Sequence, residues 1–400
     1  MSFDRYDTIV IGAGLVGLSA AYHLKLKNVN GKILLLEKEN DVALHQSGHN
    51  SGVIHSGIYY KPGSQKASNC ISGYQSIIEF AQEHHIPYDI CGKIIVATSK
   101  NELPALNNIY ERGIQNGLRG ITRLSASEIK EYEPHCAGVE AIHVPQTGII
   151  DYPKMARTLL EIYQKQLGGE ARFKEKVVDI QTENDDVIVQ TDKGSYYAKN
   201  LISCAGLFSD RMANLTETDN DLRIIPFRGE YYKLKEAKNN LVKNLIYPVP
   251  DPSFPFLGVH FTRMINGGVE AGPNAVLAFK REGYKFKDFD FKDFGDIISW
   301  PGFWKIAAKY GKTGMDEIYR SLSKKAFTKA LQRLVPEINE NDLIPGGAGV
   351  RAQACDRSGN LIDDFNILQR HNIFHVRNAP SPAATASLSI GKFISEKIRN

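Results

Sequence analysis

Cysteine is sparse and unpatterned in this chain. Its five copies, Cys70, Cys91, Cys136, Cys204 and Cys355, form no CxxC pair and no metal-ligand spacing. That argues against a disulfide scaffold or a zinc module and fits reduced thiols on a cytosolic face. Charge of one sign is also lacking, since a net charge of +4 is too small to mark a nucleic-acid binder. No apolar run reaches the ~18 residues that would span a bilayer. The chain opens almost directly into a strand-like run, which leaves no room for a secretory or transit peptide. At 400 residues, 42% of them hydrophobic, it is long enough for two domains. A cytoplasmic location is expected, with peripheral contact on the inner face of the cytoplasmic membrane left open.

What is present is organised around Tyr6–Glu37. The β-branched run Asp7 to Ile11 ends in Gly12-Ala13-Gly14-Leu15-Val16-Gly17, and the helix-compatible run Leu18 to Leu26 follows. A second apolar run, Lys32 to Leu36, closes at Glu37, about 20 residues beyond Gly17. Strand, glycine turn, helix and acid in this order fit a dinucleotide. Gly12 allows the tight turn, Gly14 the approach of the pyrophosphate and Gly17 close helix packing. The free N–H groups at the helix start, from Leu15 and Val16 on, face the phosphates. Glu37, followed by Lys38, is placed to bind the ribose hydroxyls, and its charge disfavours a 2′-phosphate.

A loop rich in Gly, Ser and His comes next, His45-Gln46-Ser47-Gly48-His49-Asn50-Ser51-Gly52-Val53-Ile54-His55-Ser56-Gly57-Ile58-Tyr59-Tyr60, and it is suited to wrapping a ligand. Together with Gly346-Gly347-Ala348-Gly349-Val350-Arg351 and Asn378-Ala379-Pro380-Ser381-Pro382-Ala383, it resembles the FAD-dependent D-amino-acid oxidase superfamily. Within that superfamily the chain looks most like L-2-hydroxyglutarate dehydrogenases (oxidases). Ile54-His55-Ser56-Gly57 is also similar to a segment of the flavin-linked glycerol-3-phosphate dehydrogenases. The resemblance implies FAD, held by the glycine unit, by His45, Ser47, His49, Asn50, Ser51 and Gly52, and by backbone at Val178. It also brings the turn Ala205-Gly206, Arg351 and the stretch Ser381, Ala383, Ala384 and Thr385 to the flavin.

The rest of the chain reads as an α/β, two-domain protein: a Rossmann-like FAD-binding domain beside a mainly antiparallel substrate domain. The first is discontinuous, 1–86, 145–220 and 341–400, with the chain returning to it from Leu343 and closing in a helix from about Pro382. The second takes 87–144 and 221–340, with a meander from Arg223 to Phe279. A helix is expected over Ser125–Glu133. Segment 284–334 interleaves aromatics, both tryptophans included, with lysines, which fits a membrane-contacting insertion or an amphipathic helix pair packed on the sheet.

Oxidising a 2-hydroxy acid needs a base for the hydroxyl proton, a flavin N5 to receive the hydride and cations for carboxylates. His55 is the expected base, with His49 and His260 in reserve. Arg351 leads for a carboxylate and Arg263 is second, because a guanidinium can bind both oxygens; Tyr59 contributes a hydroxyl. A metal site from His45, His49 and His55 lacks a carboxylate or Cys companion, so no metal is expected. The function implied by the resemblance is oxidation of L-2-hydroxyglutarate to 2-oxoglutarate, with a quinone or oxygen as electron acceptor. Oxidation of glycerol 3-phosphate, of an amino acid or of an amine competes with it, as does a nucleotide-binding module without catalysis.

Overall fold

The computed structural model of the protein describes residues 4–217, 221–251 and 257–398, apart from the side chains of residues 312, 313 and 316. The expected change of unit at residue 220 falls on 218–220, outside the described residues.

The strand Arg5–Ile11 is central to the first sheet, with Ser195–Ser203 and Ile33–Leu36 parallel to it on either side. Glu170–Arg172 extends the sheet beyond Ile33–Leu36, and Ile373–Asn378 lies parallel to Ser195–Ser203. A strand flanked on both sides must be apolar on both faces, and this one is. Val10, Leu35 and Ile202 pack on one face, under the helices Leu15–Lys27, Gln65–Glu83, Tyr152–Glu161 and Ser387–Lys397. Ile9, Ile11, Leu34 and Leu36 face the hairpin strands Val177–Glu183 and Asp186–Thr191 on the other. Each such side chain contributes roughly 1.5–3 kcal/mol. Helix Ser387–Lys397 packs against Leu15–Lys27 at backbone distance, since a Cβ on Gly391 would stand 2.1 Å from Ser19 Oγ.

The second sheet has nine strands. From Val276–Leu277 it runs through Leu222–Leu234, Val269–Gly272, His260–Arg263, Leu245–Pro248, Lys93–Ala97 and Glu140–Val144 to Thr122–Ser125. The pairing is antiparallel except between Leu245–Pro248 and Lys93–Ala97. A small third sheet, Val53–Ile54, Gly148–Ile150 and Tyr88–Asp89, stitches the His45–Tyr60 loop to the crossover.

Three expectations change. Leu343–Asp356 does not lead straight back to the first sheet; it is a strand paired along Leu222–Leu234, and the chain re-enters the first sheet at Ile373. The glycines explain its course, because a Cβ on Gly349 would stand 2.3 Å from the His49 carbonyl oxygen, so the strand runs directly against the loop. The closing helix starts at Ser387, and 381–386 form turns. Over Ser125–Glu133 only Ile129–Tyr132 is helical, because Glu128 Oε2 accepts from the Ser125 amide at 2.7 Å and holds a turn there.

Segment 284–334 forms helices Phe291–Ile298, Pro301–Leu322 and Lys324–Leu331. Ile297, Trp300 and Ile306 pack on Ile225 and Cys355, whereas Phe286, Phe289, Phe291 and Trp304 are exposed. Arg281, fully buried, pins the start of this segment through Asp210, with Nη2 to Oδ2 at 2.8 Å. Among the described residues no helix is long and apolar enough to cross a membrane.

Candidate active site

The parallel strands end side by side, with Ile11 opposite Leu36 and Ser203, and open α/β sheets take their ligands outside such ends. Gly12 has φ +99, and a Cβ there would stand 2.5 Å from the Cys204 carbonyl oxygen. At Gly17 a Cβ would stand 1.9 Å from the Gly12 carbonyl oxygen, so turn and helix pack at backbone contact. Gly14 is different, because a Cβ there would meet only Ser47 Oγ, at 3.1 Å. The helix that starts at Leu15 has no side-chain cap hydrogen bond at Gly14 and no acid in its first turn. Its positive end meets one side-chain hydroxyl, that of Ser47, and no acid of its own first turn, which fits a pyrophosphate.

The positions around it are tied together. Ser47 Oγ accepts from the Leu15 amide at 3.0 Å, and Glu37 accepts from the amides of Ala13 at 2.7 Å and Glu39 at 2.9 Å. Val178 is the bulged residue between Val177 and Asp179, so its backbone is left out of the ladder. Gly206 follows Ala205 with φ +53, and a Cβ on it would meet Gln46 Nε2 at 3.1 Å.

The loop keeps its shape through Asn50, whose side chain donates to the carbonyls of Gln46 and Ser47 and accepts from the Gly52 amide, each at 2.9 Å. His49 Nδ1 donates to the Ala348 carbonyl at 2.9 Å. His45 shares a hydrogen bond with the Tyr284 hydroxyl at 2.8 Å and pairs with Glu39 and Glu282 at 3.0 and 2.9 Å. Lys38 Nζ reaches the same two acids, Glu282 at 2.6 Å, so an ammonium already neutralises the Glu39, His45 and Glu282 group. Lys38 and His45 thus fasten the loop to the turn before the helical segment.

One face of the second sheet looks onto the loop. Lys93 and Tyr247 lie on it, and Tyr247 packs on His260 with ring centroids 3.9 Å apart. Lys93 Nζ sits 4.5 Å from the Tyr59 ring centroid and 4.9 Å from that of Tyr247. Burial, with the charges of Lys93, His260, Lys66 and Arg351, pushes the His55 imidazole down to about 3. Burial does the same to His260, to about 3, against the pull of the Gly258 carbonyl. That carbonyl takes the His260 Nδ1 proton at 2.9 Å. Both rings are therefore neutral near pH 7. Arg351, opposite Phe227 in its strand pair, hydrogen-bonds the Tyr231 hydroxyl, and its charge reaches both histidines.

A sequence model of the FAD dependent oxidoreductase (DAO) family matches residues 7–397. Over 392 residues the chain is 58% identical to the L-2-hydroxyglutarate dehydrogenase of Indibacter alkaliphilus, covering 98% of each. The chain belongs to the L-2-hydroxyglutarate dehydrogenase family. The human mitochondrial L-2-hydroxyglutarate dehydrogenase is 44% identical, with 100% of this chain and 89% of that one covered. Among solved structures, the dithionite-reduced, FAD-bound L-alpha-glycerophosphate oxidase of Mycoplasma pneumoniae has a TM-score of 0.81 at 22% identity, covering 99% of this chain and 96% of that one. That likeness is one of fold. The protein is thus an FAD-dependent oxidoreductase with a Rossmann-like sheet.

In this member of the family the structure gathers His55, Tyr59, His260 and Arg351 at one place. Arg263 is engaged elsewhere, its guanidinium ion-paired with Asp89. In the closing stretch, Ser381 bonds the Tyr60 hydroxyl, Ala383 caps a turn onto the Pro380 carbonyl, and Ala384 accepts from the Ser387 amide at 3.3 Å. Ser51 reaches the Tyr247 hydroxyl. Sequence reasoning passed over Lys93, Tyr247 and Gln46. Only Lys93 left a signal, as a charge opening the otherwise apolar run Lys93-Ile94-Ile95-Val96-Ala97.

Proposed function

We propose that this protein oxidises L-2-hydroxyglutarate to 2-oxoglutarate with FAD. The full-length likeness to L-2-hydroxyglutarate dehydrogenases carries the reading. The cluster supports it, because Arg351 and Lys93 beside two neutral histidines suit a dianionic substrate. The cofactor-bearing unit is 1–86, 145–220 and 341–400, and the substrate unit is 87–144 and 221–340, with Leu343–Asp356 shared between them. Bound FAD supplies the acceptor for the hydride of the α-carbon.

His55 takes the hydroxyl proton. Its ring is neutral when the site is empty, and a bound dianion offsets the cations around it and lifts its pKa toward the working range. Arg351 holds a carboxylate through its planar fork. His260, its Nδ1 proton held by Gly258, offers Nε2 as an acceptor for the substrate, and the buried Tyr59 hydroxyl, without a hydrogen-bond partner among the described residues, is a donor to spare. The positive end of Leu15–Lys27 would hold the pyrophosphate of the cofactor and the carboxylate of Glu37 its ribose hydroxyls.

Electrons pass to a quinone at a membrane surface. The exposed side chains Phe286, Phe289, Phe291 and Trp304, set among exposed Lys287, Lys292 and Lys305, support a headgroup-level contact on the inner face of a membrane.

The test is anaerobic bleaching of the flavin absorbance by L-2-hydroxyglutarate, with D-2-hydroxyglutarate, glycerol 3-phosphate and L-lactate alongside. Fast bleaching by the L-dicarboxylate alone is expected. A flavin that stays oxidised with it and bleaches with glycerol 3-phosphate overturns the assignment.

A further inference from the structure

Among the described residues, the buried lysines have partners, with one exception. Lys25 donates to the carbonyl of Gly31 at 3.1 Å and to that of Val29, and Lys66 pairs with Asp363 at 2.7 Å. Lys93 is 2% exposed, and among the described residues no carboxylate lies within ion-pair distance of it and no hydrogen bond satisfies it. Among the described residues the faces of Tyr59 and Tyr247 lie against its charge. Beside it the Tyr59 hydroxyl is shut off from solvent and has no hydrogen-bond partner. An ammonium and a phenol left unsatisfied together, at the same place as His55 and His260, make an anion site.

We propose that Lys93 is the second carboxylate anchor of the active site: buried between Tyr59 and Tyr247 without a counter-ion, it holds one carboxylate of the substrate while Arg351 holds the other. This rests on the functional reading above. A substrate with one carboxylate leaves the Lys93 ammonium desolvated and unpaired, so the residue selects dicarboxylates. Burial supports the placement, bringing Lys93 down to about 7, which an arriving anion reverses.

The test uses the holoprotein and the variant Lys93→Met, which keeps most of the length of the side chain without its charge and suits an apolar pocket. The half-saturating concentration of L-2-hydroxyglutarate in anaerobic flavin reduction should rise about 30-fold or more. That of L-2-hydroxybutyrate should change less than about 3-fold, and Lys93→Arg should recover part of the loss. Equal losses with both acids, or an undiminished preference for the dicarboxylate, overturns the proposal.

A second measurement needs no variant. Binding of 2-oxoglutarate, followed by the shift in flavin absorbance, should weaken about tenfold per pH unit above about 7, with 2-oxobutyrate flat. The neighbouring groups do not confuse this window. His55 and His260 are held near 3, Cys70 is pushed up to about 12, burial raises Tyr59 and Tyr247, and Lys66 is ion-paired. A flat profile for both acids overturns the anchor. An unaltered protein whose flavin L-2-hydroxyglutarate fails to reduce removes the functional reading, and this binding profile still decides on Lys93.

Discussion

The Thr385 hydroxyl ties Tyr152 to His55. Its Oγ1 lies 3.0 Å from the Tyr152 hydroxyl and accepts the His55 amide at 3.1 Å, while Tyr152 also reaches the Val53 carbonyl at 3.0 Å. The backbone of the expected base is thus held by the closing segment and by a helix in the middle of the chain. Thr385→Val keeps the shape and removes the acceptor, leaving a buried N–H unpaired. A loss of about 1–3 kcal/mol is expected in urea unfolding, with slower flavin reduction. An unchanged midpoint and rate would reject the tie.

His55→Ala should lower the limiting rate of anaerobic flavin reduction by about 10²–10⁴, while the FAD absorbance shows the cofactor still bound. A normal rate would move the proton transfer to another group, His260 first.

Glu282 fastens the helical segment to the loop through His45 and Lys38. Burial opposes its ionisation, yet these two partners outweigh burial and draw the carboxyl from 4.5 down to about 2. A depressed carboxyl stabilises the fold fully above its unfolded value and loses that stabilisation as pH falls through about 4.5 toward 2. His45 is raised despite burial, by Glu282 and Glu39, so its share is present below 6.5 and is lost as pH rises through its folded value. The Tm gap between the protein and Glu282→Gln should be widest between about pH 5 and 6 and shrink on both sides. A gap that goes on widening as pH falls below about 4.5 contradicts the network.

Phe291 is 87% exposed at the start of its helix. Phe291→Glu should reduce co-sedimentation with anionic vesicles several-fold and leave anaerobic flavin reduction by L-2-hydroxyglutarate unaltered. Equal sedimentation of both proteins would remove the membrane contact.

The dinucleotide unit was legible because its determinants are local. Strand, glycine turn and helix lie within one stretch, and the two-residue alternation of Ile9, Val10 and Ile11 sends side chains to two cores on opposite faces of one sheet. The loop was legible through its composition, and its contacts with the strand Leu343–Asp356 follow from glycines already visible there.

Partner choice between distant segments was not legible. Arg263 read as a carboxylate binder and Lys93 drew no reading, yet Arg263 meets Asp89 while Lys93 is roofed by Tyr59 and Tyr247 and, among the described residues, meets no acid. Trp300 and Trp304, four positions apart, read alike in a periodic aromatic segment; one is buried against Ile225 and Cys355, and the other faces out. The nucleotide-binding unit, the loop and the kind of chemistry follow from local order along the chain, since hydrophobic period and turn residues act over a few positions. Which cation has no counter-ion among the described residues follows from the folded arrangement alone, because desolvation depends on what the rest of the chain brings to each side chain.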